Sequence, residues 1–367
     1  MALGTCGRPR SAPRSVPRRA RVVRILLIMD PLIPVPPRHY GGIERVVADL
    51  ANELVHRGHE VTLWAAPGSR TAGTAEPFGN EGEWTRWSNA RNTMVVTGRF
   101  LSRPHSYDLV HNFGRLAYLT TILSRDLPKV QTYMRTVNPQ NMRRATSLGA
   151  RRLHYTAVSA AIRDTGKPGG GTWSVIYNCA SPEKYICRTN VDARTAPLVF
   201  LGRLERCKGA HTAIAVARRL KRRLILAGNV STLPEERAYF ATEIEPAIDG
   251  DLVSYIGAVD DSEKNALLGR AAALLLPIEW EEPFPVVLPE ALLCGTPVLA
   301  FRRGGVPEGI DEGLTGFVCD TSEQMMTAVC RLGELDRAEC RAAAERRFST
   351  QAIVDEYEHL YLRLCAS

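Results

Sequence analysis

The stretch from Glu279 to Ala300, EWEEPFPVVLPEALLCGTPVLA, sets two carboxylates, Glu282 and Glu290, eight positions apart around a Pro-Phe-Pro turn and a short apolar run. A carboxylate accepts hydrogen bonds from vicinal hydroxyls, so one Glu suits a sugar and the other a ribose. If Glu282 ends a loop and Val286 opens a helix, Glu290 falls about one turn into it, and the free N–H groups between them form an anion site for a diphosphate. Held this way, the ligand is a nucleotide sugar. Two upstream turns have matching chemistry. Gly41-Gly42 opens a segment of helical period, where absent side chains let a diphosphate or sugar approach the backbone; the pair is no G-x-G-x-x-G fingerprint and gives nicotinamide or flavin binding no support. GRLERCKG places Gly202 and Arg203 at the end of an apolar run and Lys208 before a helical one, without the G-K-[ST] of a P-loop. An Arg and a Lys converging there would neutralise a diphosphate without a metal. Each motif alone reads as a turn or a solvated charge; the expectation rests on their combination.

The elements that must position these residues alternate. VRILLIMD leads through a Pro-rich loop to GGIERVVADLANELVHRGH, whose Ile43, Val46, Val47, Leu50 and Leu54 follow the i, i+3, i+4, i+7 pattern of an amphipathic helix ending at Gly58. EVTLWAA, YDLVHNF and KVQTYM read as strands in the first half. PLVFLGRL, RRLILAG, LVSYIGAV, AAALLLPI and PVLAF read as strands in the second, with helices at about 210–220 and within the opening stretch. Such alternation predicts parallel sheets with helices on both faces, hence an α/β fold of two doubly wound domains flanking a cleft. The turn-rich, polar segment 177–197 is the predicted linker.

Composition narrows the partners. A chain of 367 residues fits two domains, and 45% apolar with 23% charged content belongs to a globular protein, with no run of about 18 uncharged apolar residues to span a bilayer. Nine cysteines without a Cys-x-x-Cys pair, and no secretory h-region behind the basic start, indicate neither zinc nor disulfides and predict a cytoplasmic location. Residues 1–194 hold 28 Lys and Arg against 13 Asp and Glu, a net +15; the remainder holds 19 against 26, a net −7. The basic half suits an anionic acceptor or, peripherally, the inner face of an anionic membrane, and equally reads as a solvated basic surface. No helix-turn-helix, finger or RNP-like pattern accompanies the charge, which sets nucleic acid aside. Residues 1–23, rich in Arg, Pro, Ser and Gly, cannot bury a core and are predicted to be a disordered extension.

In order along the chain, YGGIERVVADLANEL, DLVH, AVSAAIRD, VIYNCASPEKY, FLGRLERCKG, LILAG, EEPFPVVLPEALLCGTPVLA and GGVPEGIDEGLTGFV resemble the retaining GT-B glycosyltransferases of family 4, over about residues 24–363. The resemblance implies a Rossmann-like acceptor domain at 24–190, a Rossmann-like nucleotide-sugar domain at 191–347, and a last segment, 348–367, forming a helix that crosses back to the first domain. It implies that Arg203 and Lys208 contact the donor diphosphate, Glu282 the sugar hydroxyls and Glu290 the ribose. Gly41, Gly42, Gly202, Phe284, Pro285, Val286, Gly228 and Asn229 would line the donor, with base and sugar specificity resting on loop backbone near Gly228-Asn229 and Gly257. No cofactor or metal is implied, and a UDP-hexose is the donor to assume first.

Three departures bear on activity. Pro285 stands where such enzymes usually have Gly, removing a backbone N–H that could meet the donor. Pro289 falls in the first turn of the expected helix, which could start late or bend. The family's D-V-x-H-x-H reads Asp108-Leu109-Val110-His111-Asn112-Phe113 here, so His111 matches the first His and Phe113 replaces the second. Asn112 and Arg115 are the nearest polar candidates to replace its contact with the donor sugar, and His111 reads more readily as structural than catalytic. A nucleotide-sugar-binding subunit or regulator with little or no turnover is therefore the alternative to a hexosyltransferase. Phe113 and Pro285 favour the subunit, and Arg203, Lys208, Glu282 and Glu290 together favour the enzyme. The sequence leaves the acceptor and the oligomeric state open.

Overall fold

Strand runs that are apolar on both faces set the frame. In a computed structural model, which describes residues 21–38, 41–82 and 84–366, all thirteen strands among the described residues pair in parallel. All but the last three residues of the expected 1–23 extension lie outside the described residues. The first half runs β1 (Arg24–Ile28), α1 (Gly42–His56), β2 (Glu60–Ala65), β3 (Thr74–Pro77), α2 (Arg86–Ser102), β4 (Leu109–Asn112), β5 (Lys129–Tyr133), α3 (Pro139–Ser147), β6 (Leu153–Ala157), α4 (Ala160–Gly166) and β7 (Thr172–Val175). Its sheet has the order β3-β2-β1-β4-β5-β6-β7. The second half runs β8 (Leu198–Leu201), α5 (Ala210–Leu220), β9 (Leu224–Ala227), α6 (Pro234–Tyr239), β10 (Val253–Tyr255), α7 (Asp261–Arg270), β11 (Ala273–Leu276), α8 (Val287–Leu293), β12 (Val298–Phe301), β13 (Gly316–Cys319), α9 (Ser322–Cys330), α10 (Arg337–Phe348) and α11 (Thr350–Ala366), with sheet order β10-β9-β8-β11-β12-β13.

Both sheets are doubly wound. Strand order reverses between β1 and β4 in the first and between β8 and β11 in the second, and crevices at the carboxyl ends of such neighbours are where ligands bind in this architecture. Strands β1 and β11 are buried along almost their whole length, which is why they read as continuous apolar runs. Between β7 and β8 the chain forms no strand or α-helix, matching the turn-rich segment.

The last helix returns to the first half. Ile353, Val354, Tyr357, Leu360 and Tyr361 form one stripe of α11 and share a core with Ile25 and Leu27 of β1 and Val47, Leu50 and Leu54 of α1. Burying five such side chains contributes about 10 kcal/mol before the entropy of ordering the helix. Arg57, just past α1, adds ion pairs to Asp355 at 2.5 Å and Glu358 at 2.7 Å. Elsewhere the halves meet through Arg45–Asp261 at 2.6 Å, and Lys184 of the segment between the sheets pairs with Asp49 of α1 at 2.8 Å. Glu308 accepts from the N–H groups of Ala160 and Ala161 at 2.7 and 3.0 Å, so a second-half carboxylate closes the first turn of first-half helix α4.

Candidate functional site

At the reversal between β8 and β11 two of the expected site residues, Lys208 and Glu282, come together. Gly209 ends the turn after β8 with φ +77°, and a Cβ there would stand 1.9 Å from the Pro277 carbonyl oxygen, so only glycine lets this turn lie against the loop after β11. That contact brings Lys208 to Glu282. Their Nζ and Oε2 atoms are 2.5 Å apart, the Trp280 indole N–H donates to the same Oε2 at 2.6 Å, and the Lys208 ammonium lies 5.2 Å from the Trp280 ring centroid. Glu282 is 8% exposed, and its Oε1 bonds nothing among the described residues. Arg203 lies at the same strand end but pairs with its near neighbour Glu205 at 2.5 Å, so each of the two cations has a carboxylate of its own. Gly202 and Gly228 meet back to back: a Cβ on Gly228 would fall 1.8 Å from the Gly202 carbonyl oxygen. The Gly228 carbonyl takes the Tyr255 hydroxyl at 2.9 Å, and the exposed Asn229 follows at the end of β9.

Helix α8 carries the second carboxylate inward. Glu290 is 5% exposed and receives the Lys264 ammonium at 2.5 Å and the Tyr185 hydroxyl at 2.8 Å. Lys264 also lies 3.5 Å from Asp261, which binds Arg45 across the cleft, so Glu290 is tied through α7 to the first half. Burial alone would raise the Asp261 carboxyl, but Lys264 and Arg45 outweigh it and hold it below the usual carboxylate range. Burial, then the Glu290 charge, pushes the Tyr185 phenol far up, so it stays a donor. Sequence reading missed Lys264, Tyr185 and Trp280 as partners.

The prolines of this segment are accommodated. Val286 is the N-cap of α8, which makes Pro289 its third residue, where a backbone N–H would have no intrahelical partner anyway. The helix begins at Val287, one residue after the expected Val286, and is short, seven residues. Pro285 supplies a carbonyl to Leu288 N at 3.1 Å. Phe284 turns inward: its ring is buried against Tyr177 and Phe348, with centroids at 5.1 and 5.5 Å, and its carbonyl accepts from the buried Asn178 amide at 3.0 Å. Val286 faces Gly42 of the first half, where a Cβ would meet its Cγ2 at 3.3 Å, and a Cβ on Gly41 would crowd Pro37 at 2.7 Å.

The first-half candidates separate into two kinds. His111 is wholly buried, with Nδ1 on the Tyr361 hydroxyl at 2.5 Å and Nε2 on the Thr132 hydroxyl at 2.6 Å, and burial depresses its pKa well below the ordinary value. It is a buried bridge from β4 to α11 and to Thr132 of β5. Asn112 is also withdrawn: its amide donates to the Arg115 carbonyl at 2.8 Å and to Gln131 Oε1 at 2.6 Å, while its Oδ1 takes Gly114 N at 3.1 Å. These bonds shape the loop 113–115. Phe113 stacks on His111 with centroids 3.9 Å apart, and Arg115 lies over Trp84 at 4.0 Å with its Nε 3.6 Å from Asp30. Of the three polar candidates in this loop, Arg115 alone lines an open space. Among the described residues no three His, Cys, Asp or Glu side chains are grouped so as to hold a metal ion, and no helix is long and apolar enough to cross a membrane.

Known families divide the chain near the junction of the two sheets. Residues 40–184 match the family described as Glycosyltransferase Family 4, and residues 184–347 match Glycosyl transferases group 1. The chain belongs to the group 1 glycosyltransferases. Among curated proteins it is 28% identical to a glycogen synthase of Mycobacterium tuberculosis, covering 85% of this chain and 86% of that one. It is 26% identical to a D-inositol 3-phosphate glycosyltransferase of Saccharomonospora viridis, covering 93% and 94%. Among solved structures, AviGT4, a glycosyltransferase involved in avilamycin A biosynthesis, superposes with a TM-score of 0.69 at 28% identity, over 94% of this chain and 98% of that one. As a glycosyltransferase of GT-B architecture, the protein has its two sheets where the sequence blocks required them.

Proposed function

We propose that this glycosyltransferase moves a hexose from a nucleoside diphosphate sugar to an acceptor hydroxyl with retention of configuration, using side-chain cations in place of a metal. The observation that carries the reading is the Lys208–Glu282 pair at the β8/β11 reversal. An ammonium has three N–H donors, so Lys208 can keep Glu282 and still bind phosphate oxygens, while Glu282 Oε1 is open to sugar hydroxyls. Arg203, with a planar fork of donors, joins Lys208 at the diphosphate. Glu290, held rigid by Lys264 and Tyr185, receives the ribose hydroxyls. Gly41, Gly42 and Gly202 let the donor approach the backbone, and Gly228-Asn229 border the base. In the transfer the bond from the anomeric carbon to the phosphate oxygen breaks and the bond to the acceptor oxygen forms on the same face; the departing phosphate oxygen takes the acceptor proton. Lys208 and Arg203 stabilise the charge that grows on the leaving group.

Pro285, with no N–H to offer a donor, favours a second reading, a subunit that binds nucleotide sugar without turning it over. Purified protein incubated with UDP-, GDP-, ADP- and dTDP-hexoses, UDP-hexoses first, tests both. Release of one nucleoside diphosphate supports the transferase; binding without release from any of them supports the subunit.

A further inference from the structure

A cavity of about 520 Å³ opens at the carboxyl ends of β1 and β4, the reversal point of the first sheet. Its wall contains an unusual concentration of unpaired polar atoms. Arg115 Nη2 and the Tyr133 hydroxyl line it without a hydrogen-bond partner among the described residues, and Asp30 Oδ1 lies beside the Tyr118 hydroxyl, the two interacting outside full hydrogen-bond geometry. Asp30, two residues past β1, is 5% exposed, and its nearest cations, Arg115 and Arg135, stand at 3.6 and 3.9 Å, beyond hydrogen-bond reach. Gly114 keeps this space clear: a Cβ there would come within 2.9 Å of the Tyr118 ring and 3.2 Å of Asp30 Oδ1. Buried polar groups in native proteins are paired with protein or with water, so several such atoms around one concave site form a polar lining that water or a polar ligand can occupy.

The groups present define that ligand. A carboxylate oxygen accepts from a hydroxyl, and the Tyr133 phenol and Arg115 guanidinium can bond further oxygens. Arg144 and Arg135 are at the lining as well; both are exposed, and Arg144 makes no ion pair among the described residues. Three arginines here face two carboxyls, Asp30 and, in the first turn of α1, Glu44, and burial raises the pKa of both acids. The surplus charge is positive.

We propose that this cavity binds, as the acceptor, a polyol bearing a phosphate or carboxylate: Asp30 accepts a hydrogen bond from one of its hydroxyls, and Arg135 and Arg144 pair with its anionic group. This rests on the glycosyltransferase reading and adds to it the acceptor's chemical class. The hydroxyl-binding and anion-binding parts are separable by mutation, because Asp30 and Arg144 act on different ends of the ligand.

The test uses the full chain and saturation-transfer NMR titrations of glucose 6-phosphate, glucuronate, methyl glucoside and methyl phosphate, with UDP, GDP, ADP and dTDP titrated on the same samples. Glucose 6-phosphate and glucuronate are expected to bind at least tenfold more tightly than methyl glucoside, a preference lost in Arg144→Ala and in Arg135→Ala with Arg144→Ala. Asp30→Leu is expected to abolish the preference for glucose 6-phosphate over methyl phosphate while leaving methyl phosphate binding within about twofold. Arg144→Ala alters an exposed side chain, so it remains informative if Asp30→Leu does not fold. Flotation with phosphatidylinositol vesicles against phosphatidylcholine vesicles separates the sources: capture that needs Arg135 and Arg144 assigns a lipid headgroup, and free protein with intact sugar phosphate binding assigns a soluble acceptor. Equal affinity for charged and neutral sugars, or an anion preference untouched in the arginine variants, overturns the proposal; if a nucleoside diphosphate still binds, the donor reading survives that failure. Absence of nucleotide binding overturns the donor reading, and with it the acceptor role.

Discussion

Replacing Lys264 by Met keeps most of the aliphatic stem and removes the charge opposite Glu290. At 2.5 Å and an effective dielectric of about 20, the gross attraction of the pair is roughly 7 kcal/mol, most of it offset by the desolvation of two groups whose side chains are 11% and 7% exposed. Removing one partner leaves the desolvation of Glu290 with only the Tyr185 hydroxyl to answer it. The expected loss is therefore about 3–5 kcal/mol, well above that of an exposed ion pair. Urea unfolding followed by far-UV circular dichroism measures it. A companion variant, Lys264→Met with Glu290→Met, removes both charges and is expected to recover most of the loss. A single variant within about 1 kcal/mol of the parent, or a double variant no better than the single, would show that Glu290 is not held by a buried pair.

Further outcomes follow from the same geometry. Arg203→Ala and Lys208→Ala are each expected to lower turnover of the active sugar nucleotide by roughly 10²–10³-fold, and parental rates in both would remove the diphosphate assignment. Glu308→Ala removes the carboxylate that closes the first turn of α4 and should cost about 1–2 kcal/mol, read as a lower urea midpoint; an unchanged midpoint would mean the contact between halves is idle. Burial lowers the pKa of His111 and takes that of His154 to about 4, so below about pH 6.5 the unfolded chain binds protons that the folded chain refuses. The stability these histidines contribute is present above pH 6.5 and lost as pH falls toward the folded values, at up to about 1.4 kcal/mol per unit for each. Urea midpoints at pH 7.5, 6 and 5 should fall, less steeply in His154→Gln; a flat profile contradicts the burial.

Much of the fold was legible because a strand covered on both faces is usually apolar, and β1, β8, β9, β11 and β12 are written that way; β2, β4, β5 and β10 were read from shorter apolar stretches, and β4 and β5 bury polar residues among them. The strands β3, β6, β7 and β13, with sequences TAEP, LHYTA, TWSV and GFVC, were not read. They are four or five residues long, and the first, third and fourth lie at sheet edges, where less apolar surface is demanded. Glu282 and Lys208 were legible as a site because their loops follow strands that flank the reversal point. The partners of Glu290 were not, since Tyr185 and Lys264 lie 105 and 26 positions away and meet it only after α7 and α8 pack. His111 was read as structural, and β4 and α11 do bury it; Asn112 was read as a candidate contact to the donor sugar, yet its amide is consumed in shaping the 113–115 loop. Asp30 was read only as the end of an apolar run, although its position directly after β1, at the reversal of the first sheet, was the available signal.

The donor site is tested most directly by calorimetric titration of UDP, GDP, ADP and dTDP into the parent, Lys208→Ala and Glu290→Ala proteins. One nucleoside diphosphate should bind the parent, and its affinity should fall by about tenfold or more in each variant, as expected when a charged partner of the diphosphate or a carboxylate on the ribose is lost. Binding of none of the four, or binding of equal strength to all three proteins, would contradict the placement of the donor on Lys208 and Glu290.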